Sequence, residues 1–220
     1  MDVIEAIKTR QSIRAFKPDP LPRALLEKVM EISLHSPSGS NMQPWSFVVV
    51  GGEQMEEMKQ ALVERTRSGA QWAADFPLPA PDGVLRERRR KVMGQMYDSL
   101  GIARHDQAGK DRWWEVMDRF FEAPNGIILC LEKSLMPFHL IDAGLILQTL
   151  MLAAHNYGLG TCVIYRGVIY PDILRKMFDI PDSKVLVSAV AIGYPNAKAP
   201  VNQFRSSREP MDSLVKWYGV

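Results

Sequence analysis

The sequence predicts a mixed helix-and-strand domain, of the α+β or α/β class. Amphipathic helical stretches recur along its 220 residues, and only a few short apolar runs (46–50, 126–131, 185–192) read as strands. The two kinds of element interleave, with no internal repeat or low-complexity tract. The length suits a single domain, 1–220, with one inserted subregion.

Residues 2–9 read as a helix, with Asp2 as cap and Val3, Ile4, Ala6 and Ile7 as an apolar stripe. The chain then leaves the helix toward Pro18 and Pro20. A second helix starts at Pro22, with Leu25, Leu26, Val29, Met30 and Ser33 on its inner face. The stretch Ser36-Pro37-Ser38-Gly39-Ser40-Asn41-Met42-Gln43-Pro44-Trp45 ends it. Pro37 and Gly39 cannot extend a helix, and two prolines lack the donors of a central strand. It is a tight polar loop feeding the strand at 46–50, and its short side chains let a ligand approach backbone amides. A helix over 53–67 carries Met55, Met58 and Leu62 at helical spacing.

Composition changes at Gly69. Residues 76–83 are proline-rich and irregular, and 84–121 reads as two surface helices broken near 101–109. A strand at 126–131 precedes a helix at 137–157 that is apolar on nearly all sides, which places it centrally or at a subunit interface. Gly158 and Gly160 are expected to close it. A short strand (161–165), a short helix (171–178), a strand (185–192) and a polar, irregular end with Trp217 and Tyr218 complete the chain.

Composition narrows the function classes. A net charge of +2 gives no case for nucleic acid or an anionic membrane as partner. Cys130 and Cys162 sit in apolar runs, as buried thiols in a reducing compartment do. The N-terminus lacks the basic start and apolar core of a signal peptide, and Asp142, Gln148, His155 and Asn156 interrupt the longest apolar region. A cytoplasmic protein is expected. No Gly-x-Gly-x-x-Gly follows a strand, there is no P-loop, and Ser38 lacks a nucleophile elbow. The four histidines show no paired metal-ligand spacing, and His139 with Asp142 reads as a helix cap rather than a metal site. No metal is expected.

What remains suits an anionic cofactor. In an extended chain Arg10, Ser12 and Arg14 share one face, fit for a phosphate and a polar ring. Arg205-Ser206-Ser207-Arg208-Glu209-Pro210 offers two guanidinium forks and two hydroxyls. Taken alone, each also reads as a solvated charged turn. Together with the 36–45 loop, Asp142, Gln148, the Ala153-Ala154 pair, Gly158-Leu159-Gly160 and Ile192-Gly193-Tyr194-Pro195, their order resembles the nitroreductase family of FMN-dependent oxidoreductases. The resemblance spans about residues 2–68 and 123–217 and is weak over 69–122.

The resemblance implies an α+β subunit with a central, mostly antiparallel sheet flanked by helices, in an intertwined homodimer with FMN at the subunit interface. It implies Arg10 and Arg208 as a phosphate clamp with Arg205 as helper, Ser12 at the ribityl–phosphate region and Arg14 at the flavin pyrimidine edge. Gln11 stands where the family is often basic. Pro37, Ser38, Gly39 and Asn41 would be supplied to the partner's flavin, and Val163, Ile164 and Tyr165 would lie along the ring near N5. Tyr165-Arg166-Gly167 departs from the acid and glycine that many members place after this strand. The implied activity is ping-pong hydride transfer from NADH or NADPH, through the flavin, to a nitroaromatic or quinone-like small molecule. The flavin itself carries the hydride, so no catalytic side chain is named. A reductive dehalogenase or ene-reductase would use the same site, and a flavin-binding or flavin-cleaving protein would lack NAD(P)H turnover. The 69–122 segment is the expected lid and acceptor-selecting insertion. Trp113, Trp114, Phe120 and Phe121 there could stack on a flat substrate or form core, and the basic run 86–91 could attract an anionic substituent or form a solvated helix face.

Overall fold

The computed structural model describes residues 1–76 and 80–220; Pro77, Leu78 and Pro79 of the proline-rich stretch lie outside the described residues. Asp2 caps α1 (Val3–Thr9), its carboxylate accepting from the Ile4 amide at 2.6 Å. α2 (Arg23–Ser33), β1 (Trp45–Gly51) and α3 (Gly52–Arg67) follow where the hydrophobic spacing puts them. The inserted segment forms two helices, α4 (Gly83–Ser99) and α5 (Gln107–Asp118). Then come β2 (Asn125–Glu132), α6 (Leu140–Asn156), β3 (Gly160–Ile164), α7 (Pro171–Phe178), β4 (Lys184–Gly193) and the short α8 (Pro200–Gln203).

The strands form one sheet in the order β1-β2-β4-β3, and every neighbouring pair is antiparallel. That decides for α+β over α/β. β2 and β4 are central, and both faces of the sheet are covered. Ile127, Leu129 and Leu131 point to the side of α2 and α6, where Val29, Ile146 and Leu150 pack. Ile128 and Cys130 point to the opposite side, against Met55, Met58, Leu62 and Phe120. Successive strand residues therefore both find core, and for this reason β2 reads as an unbroken apolar run. Each fully buried Ile or Leu here contributes roughly 1.5–3 kcal/mol.

Two expectations change. Gly158 adopts φ 74° and closes α6, whereas Gly160 is the first residue of β3 and caps nothing. Its role is close approach: a Cβ built there would lie 2.7 Å from Ile13 Cγ1 and 2.9 Å from Ile13 Cβ. The Ile13 amide donates to the Thr161 carbonyl at 2.9 Å, and Ser12 bridges to Thr161. The second change concerns α1 and α6. Of the α1 stripe only Ala6 is buried, and Val3, Ile4 and Ile7 face outward. α6 buries Ala143, Ile146, Leu150, Ala153 and Ala154 but exposes Ile141 and Leu145. Its inner face is central, and its outer face leaves apolar side chains exposed.

Gly160→Ala is expected to destabilise the fold by about 1–3 kcal/mol, because branched, buried Ile13 cannot swing away from the added methyl. Urea unfolding measures this, and an Ile13→Ala background should recover part of the loss. A wild-type midpoint for the single variant would contradict the close contact.

Candidate functional site

The edge strand β3 organises the site. β4 pairs with one of its edges, and the chain leaving α1 meets the other at Ser12. This extended segment carries Arg10, Gln11, Ser12 and Arg14 into a cavity of about 1120 Å³. Arg205 and Arg208 enter the same cavity from the segment after α8, and Arg88 and Arg89 enter it from α4. The two arginine motifs, nearly 200 residues apart, thus meet as the sequence suggests.

Asn202 joins them. Its side-chain carbonyl accepts from the Arg14 amide at 2.8 Å, and its Nδ2 donates to the carbonyls of Ala15 at 2.7 Å and Asn196 at 2.9 Å. Its backbone carbonyl accepts from Arg205 at 2.7 Å and from Gln11 Nε2 at 3.2 Å. Every heavy-atom hydrogen-bonding group of this buried amide is therefore used in tying the C-terminal segment to the Arg10–Arg14 segment. Sequence reasoning missed Asn202. An amide in a polar, irregular tail has no distinguishing spacing.

The electrostatics of the cavity are one-sided. Among the described residues no Asp or Glu lines it, and Arg10, Arg14, Arg205 and Arg208 have no carboxylate partner. Partial burial, and then repulsion from Arg208, lower the Arg10 pKa from its ordinary value. Beneath them Cys162 is buried, and desolvation raises its thiol pKa despite nearby Arg14, Ser12 and Arg10. Folded proteins rarely bring guanidinium groups together without a counter-charge. An anion with several acceptor oxygens would supply one, and the forks fit a phosphate. The donor set therefore suits the FMN phosphate, and the cradle is reached from β3 through Ser12; Val163, Ile164 and Tyr165 do not themselves line the cavity. Val163 is partly exposed on that strand, Ile164 is buried, and Tyr165 begins the following turn with its hydroxyl donating to the Phe76 carbonyl at 2.8 Å.

Pro37, Ser38, Gly39 and Asn41 are not brought to this cavity. Their loop packs at the start of α6, where the Gly39 amide donates to Asp142 Oδ1 at 3.0 Å. The other Asp142 oxygen contacts His139 Nδ1, so Asp142 holds the loop rather than serving as a plain helix cap. Ser40, Asn41 and Gln43 all have positive φ, a strained arrangement for side-chain-bearing residues. The Gln43 amide donating to Ser38 Oγ at 3.0 Å helps to hold it.

Of the two readings of the insertion's aromatics, three of the four take the core one. Trp113, Phe120 and Phe121 are buried in the core, so no substrate reaches their faces; Trp114 alone of the four is exposed. The basic run divides by helical phase. Arg88 and Arg89 line the arginine cavity, while Arg90 and Lys91 line a separate cavity within the insertion. Among the described residues no group of His, Cys, Asp and Glu could hold a metal ion.

Arg166, which departs from the family pattern, is a structural centre. It pairs bidentately with buried Asp118 of α5 at 2.7 and 2.6 Å. Its guanidinium also sits 5.2 Å from the Trp72 ring centroid and 5.4 Å from that of Trp114. Arg166 thereby fastens the insertion to the end of β3. Desolvation raises the Asp118 pKa, and Arg166 opposes that rise.

The chain matches the family model described as "Nitroreductase family" over residues 7–194. It is 31% identical to a 4-nitrobenzoate reductase of Pseudomonas putida, over 99% of this chain and 96% of that one. The FMN and NADPH-dependent nitroreductase NfnB from Sphigopyxis sp. strain HMH superposes with a TM-score of 0.96 at 32% identity, covering 100% of both chains. The FMN-dependent nitroreductase NfnB from Mycobacterium smegmatis, solved in complex with NADPH, gives 0.93 at 30% identity, covering 98% of this chain and 97% of that one.

Arg166→Met should cost about 3–5 kcal/mol at neutral pH, by leaving Asp118 buried and unpaired. A carboxyl group with a raised folded pKa favours the fold below its unfolded pKa, and that advantage is lost as pH rises through the folded value. Removing Arg166 raises the Asp118 pKa further. The loss measured by urea unfolding should therefore be smaller at acid pH than at pH 8, and Asp118→Leu added to the variant should restore most of the stability. A pH-independent loss would count against this account.

Proposed function

The chain belongs to the nitroreductase family, and we propose that it is an FMN-dependent NAD(P)H oxidoreductase that reduces nitroaromatic acceptors. The uncompensated arginine cavity beside the edge strand β3 carries this conclusion. Its relatives over nearly the whole chain, a 4-nitrobenzoate reductase and FMN- and NADPH-dependent nitroreductases, support it.

Arg10 and Arg208 hold the cofactor phosphate, with Arg205 beside them and Ser12 offering a hydroxyl. Gln11 is turned toward the Asn202 carbonyl and supports the segment. Arg14, which lines the same cavity, would offer a fixed positive charge to the flavin, favouring acceptance of electrons. The backbone of Val163, Ile164 and Tyr165 supplies the flat edge against which the ring is oriented. Bound FMN supplies reversible hydride acceptance, taking a pair of electrons from a nicotinamide and passing it to the acceptor. The cationic lining attracts anionic reactants, and the insertion carrying α4 and α5 covers the cavity mouth and excludes water.

The site is completed in a homodimer. α1 exposes Val3, Ile4 and Ile7, and α6 exposes Ile141, at 66%, and Leu145. Large apolar side chains left outward on two helices fit an interface. The strained Ser38–Asn41 loop lies at the start of α6 and is supplied to the partner's cofactor. A cytoplasmic setting fits the two free, buried cysteines.

The purified protein should be yellow, or become so with added FMN. NADPH should bleach it anaerobically, and a nitrobenzoate should restore the colour. A colourless protein that takes up no FMN would overturn the assignment. Arg208→Ala should weaken FMN binding about tenfold to a hundredfold by fluorescence titration, since a charge-assisted hydrogen bond contributes about 1.5–3 kcal/mol. Unchanged affinity would remove Arg208 from the clamp.

Ile141→Asp should shift the protein to monomer in analytical ultracentrifugation and lower its FMN affinity together. A dimer that persists with full FMN affinity would place the interface elsewhere.

A further inference from the structure

The cavity holds more positive charge than FMN uses. A phosphate monoester carries about −1.5 to −2 at neutral pH. Arg10, Arg205 and Arg208 answer that phosphate and Arg14 the ring, which leaves Arg88 and Arg89 over. These two lie on α4, yet they line the same cavity. Val92, Met93 and Met96 line it too, at the three- and four-residue spacing of one helix face. The face combines a cationic end with an apolar floor. Arg88 reaches Glu209 Oε2 at 3.3 Å through one terminal nitrogen, but its buried Nε has no hydrogen-bond partner. Arg89 has no ion pair among the described residues. A buried Nε donor left over on Arg88, whose terminal nitrogen already meets Glu209, beside the unpaired Arg89 guanidinium, is a site waiting for an acceptor.

We infer that Arg88 and Arg89 form a second anion subsite in the cofactor cavity, for a small oxyanion carried by the molecule that follows FMN into the site. Two reactants offer that chemistry: the 2′-phosphate of NADPH, or a ring carboxylate on the acceptor lying over Val92, Met93 and Met96. Either is a forked acceptor that suits paired guanidinium groups. The subsite rests on the FMN assignment above and adds selectivity to it. Its residues come from α4 of the insertion, a different element from those that carry Arg10, Arg205 and Arg208, so reactant preference is set separately from cofactor binding.

The test uses FMN-loaded protein and its Arg88→Gln/Arg89→Gln variant. Calorimetry measures binding of adenosine 2′,5′-bisphosphate against 5′-AMP, and of benzoate against benzamide; fluorescence titration measures FMN affinity. Wild-type protein should prefer one anion of these pairs, and the variant should lose about tenfold of that affinity while keeping its FMN affinity within about twofold. Loss confined to the bisphosphate assigns the subsite to NADPH, and loss confined to benzoate assigns it to the acceptor. Arg88→Lys/Arg89→Lys, which keeps charge but not the fork, should fall between. The inference is overturned if wild-type protein prefers neither anion, if the variant binds both as wild type does, or if FMN affinity falls in step, which would make these arginines part of the FMN clamp. Wild-type protein that takes up no FMN at all is a different result, and it refutes the functional assignment instead.

Discussion

Repulsion between guanidinium groups is the constraint that the rest of the site answers. Partial burial, and then the nearby Arg208 charge, disfavour the charge of Arg10, and among the described residues no carboxylate lines the cavity to relieve it. Such a cluster does not assemble on its own, so the fold has to hold it. Two devices do so. Thr161 at the edge of β3 fixes the chain at Ser12 and Ile13, and Asn202 uses its whole amide to join that chain to the C-terminal segment. Gly160 permits the first, because only a residue without a side chain lets Ile13 lie so close to the strand.

The sheet makes this possible by being covered on both faces. With α2 and α6 on one side and α3 with the insertion on the other, only the two edge strands, β1 and β3, are left at the margins, and the chain after α1 lies along β3 at Ser12 and Ile13. The Arg166–Asp118 pair then fixes the insertion to the end of that strand. The insertion that contributes Arg88 and Arg89 to the cavity is thus anchored beside the strand that positions Ser12.

Helices and strands were legible because their periodicity is a local signal: Met55, Met58 and Leu62 or the β2 run declare themselves within a few residues. The two arginine motifs were legible by residue type and order. The rest depended on distant partners. Gly160 looked like a helix-closing glycine because Gly158 stands two residues before it, and its real neighbour, Ile13, is remote in sequence. Trp113, Phe120 and Phe121 offered aromatic surface without saying which way it faced; the sheet and α3 took it as core. Asn202 and Arg166 carry no local mark at all. One is an amide in a polar tail and the other a basic residue after a strand, and each acquires its role from contacts made 48 or more positions away.

The same electrostatics couple the cofactor to the stability of the fold. An unliganded cavity that gathers several unpaired cations weakens the native state, since the unfolded chain separates them in water. A ligand that binds only the folded chain stabilises it by RT ln(1 + [L]/Kd), and an anion does so here by neutralising the repulsion that opposed folding. The strained loop at Ser40 to Gln43 follows the same pattern, since its left-handed residues persist only while Asp142 and neighbouring chain hold them. Both features are unfavourable in an empty cavity and an unsupported loop, so binding of an anionic cofactor and folding reinforce one another.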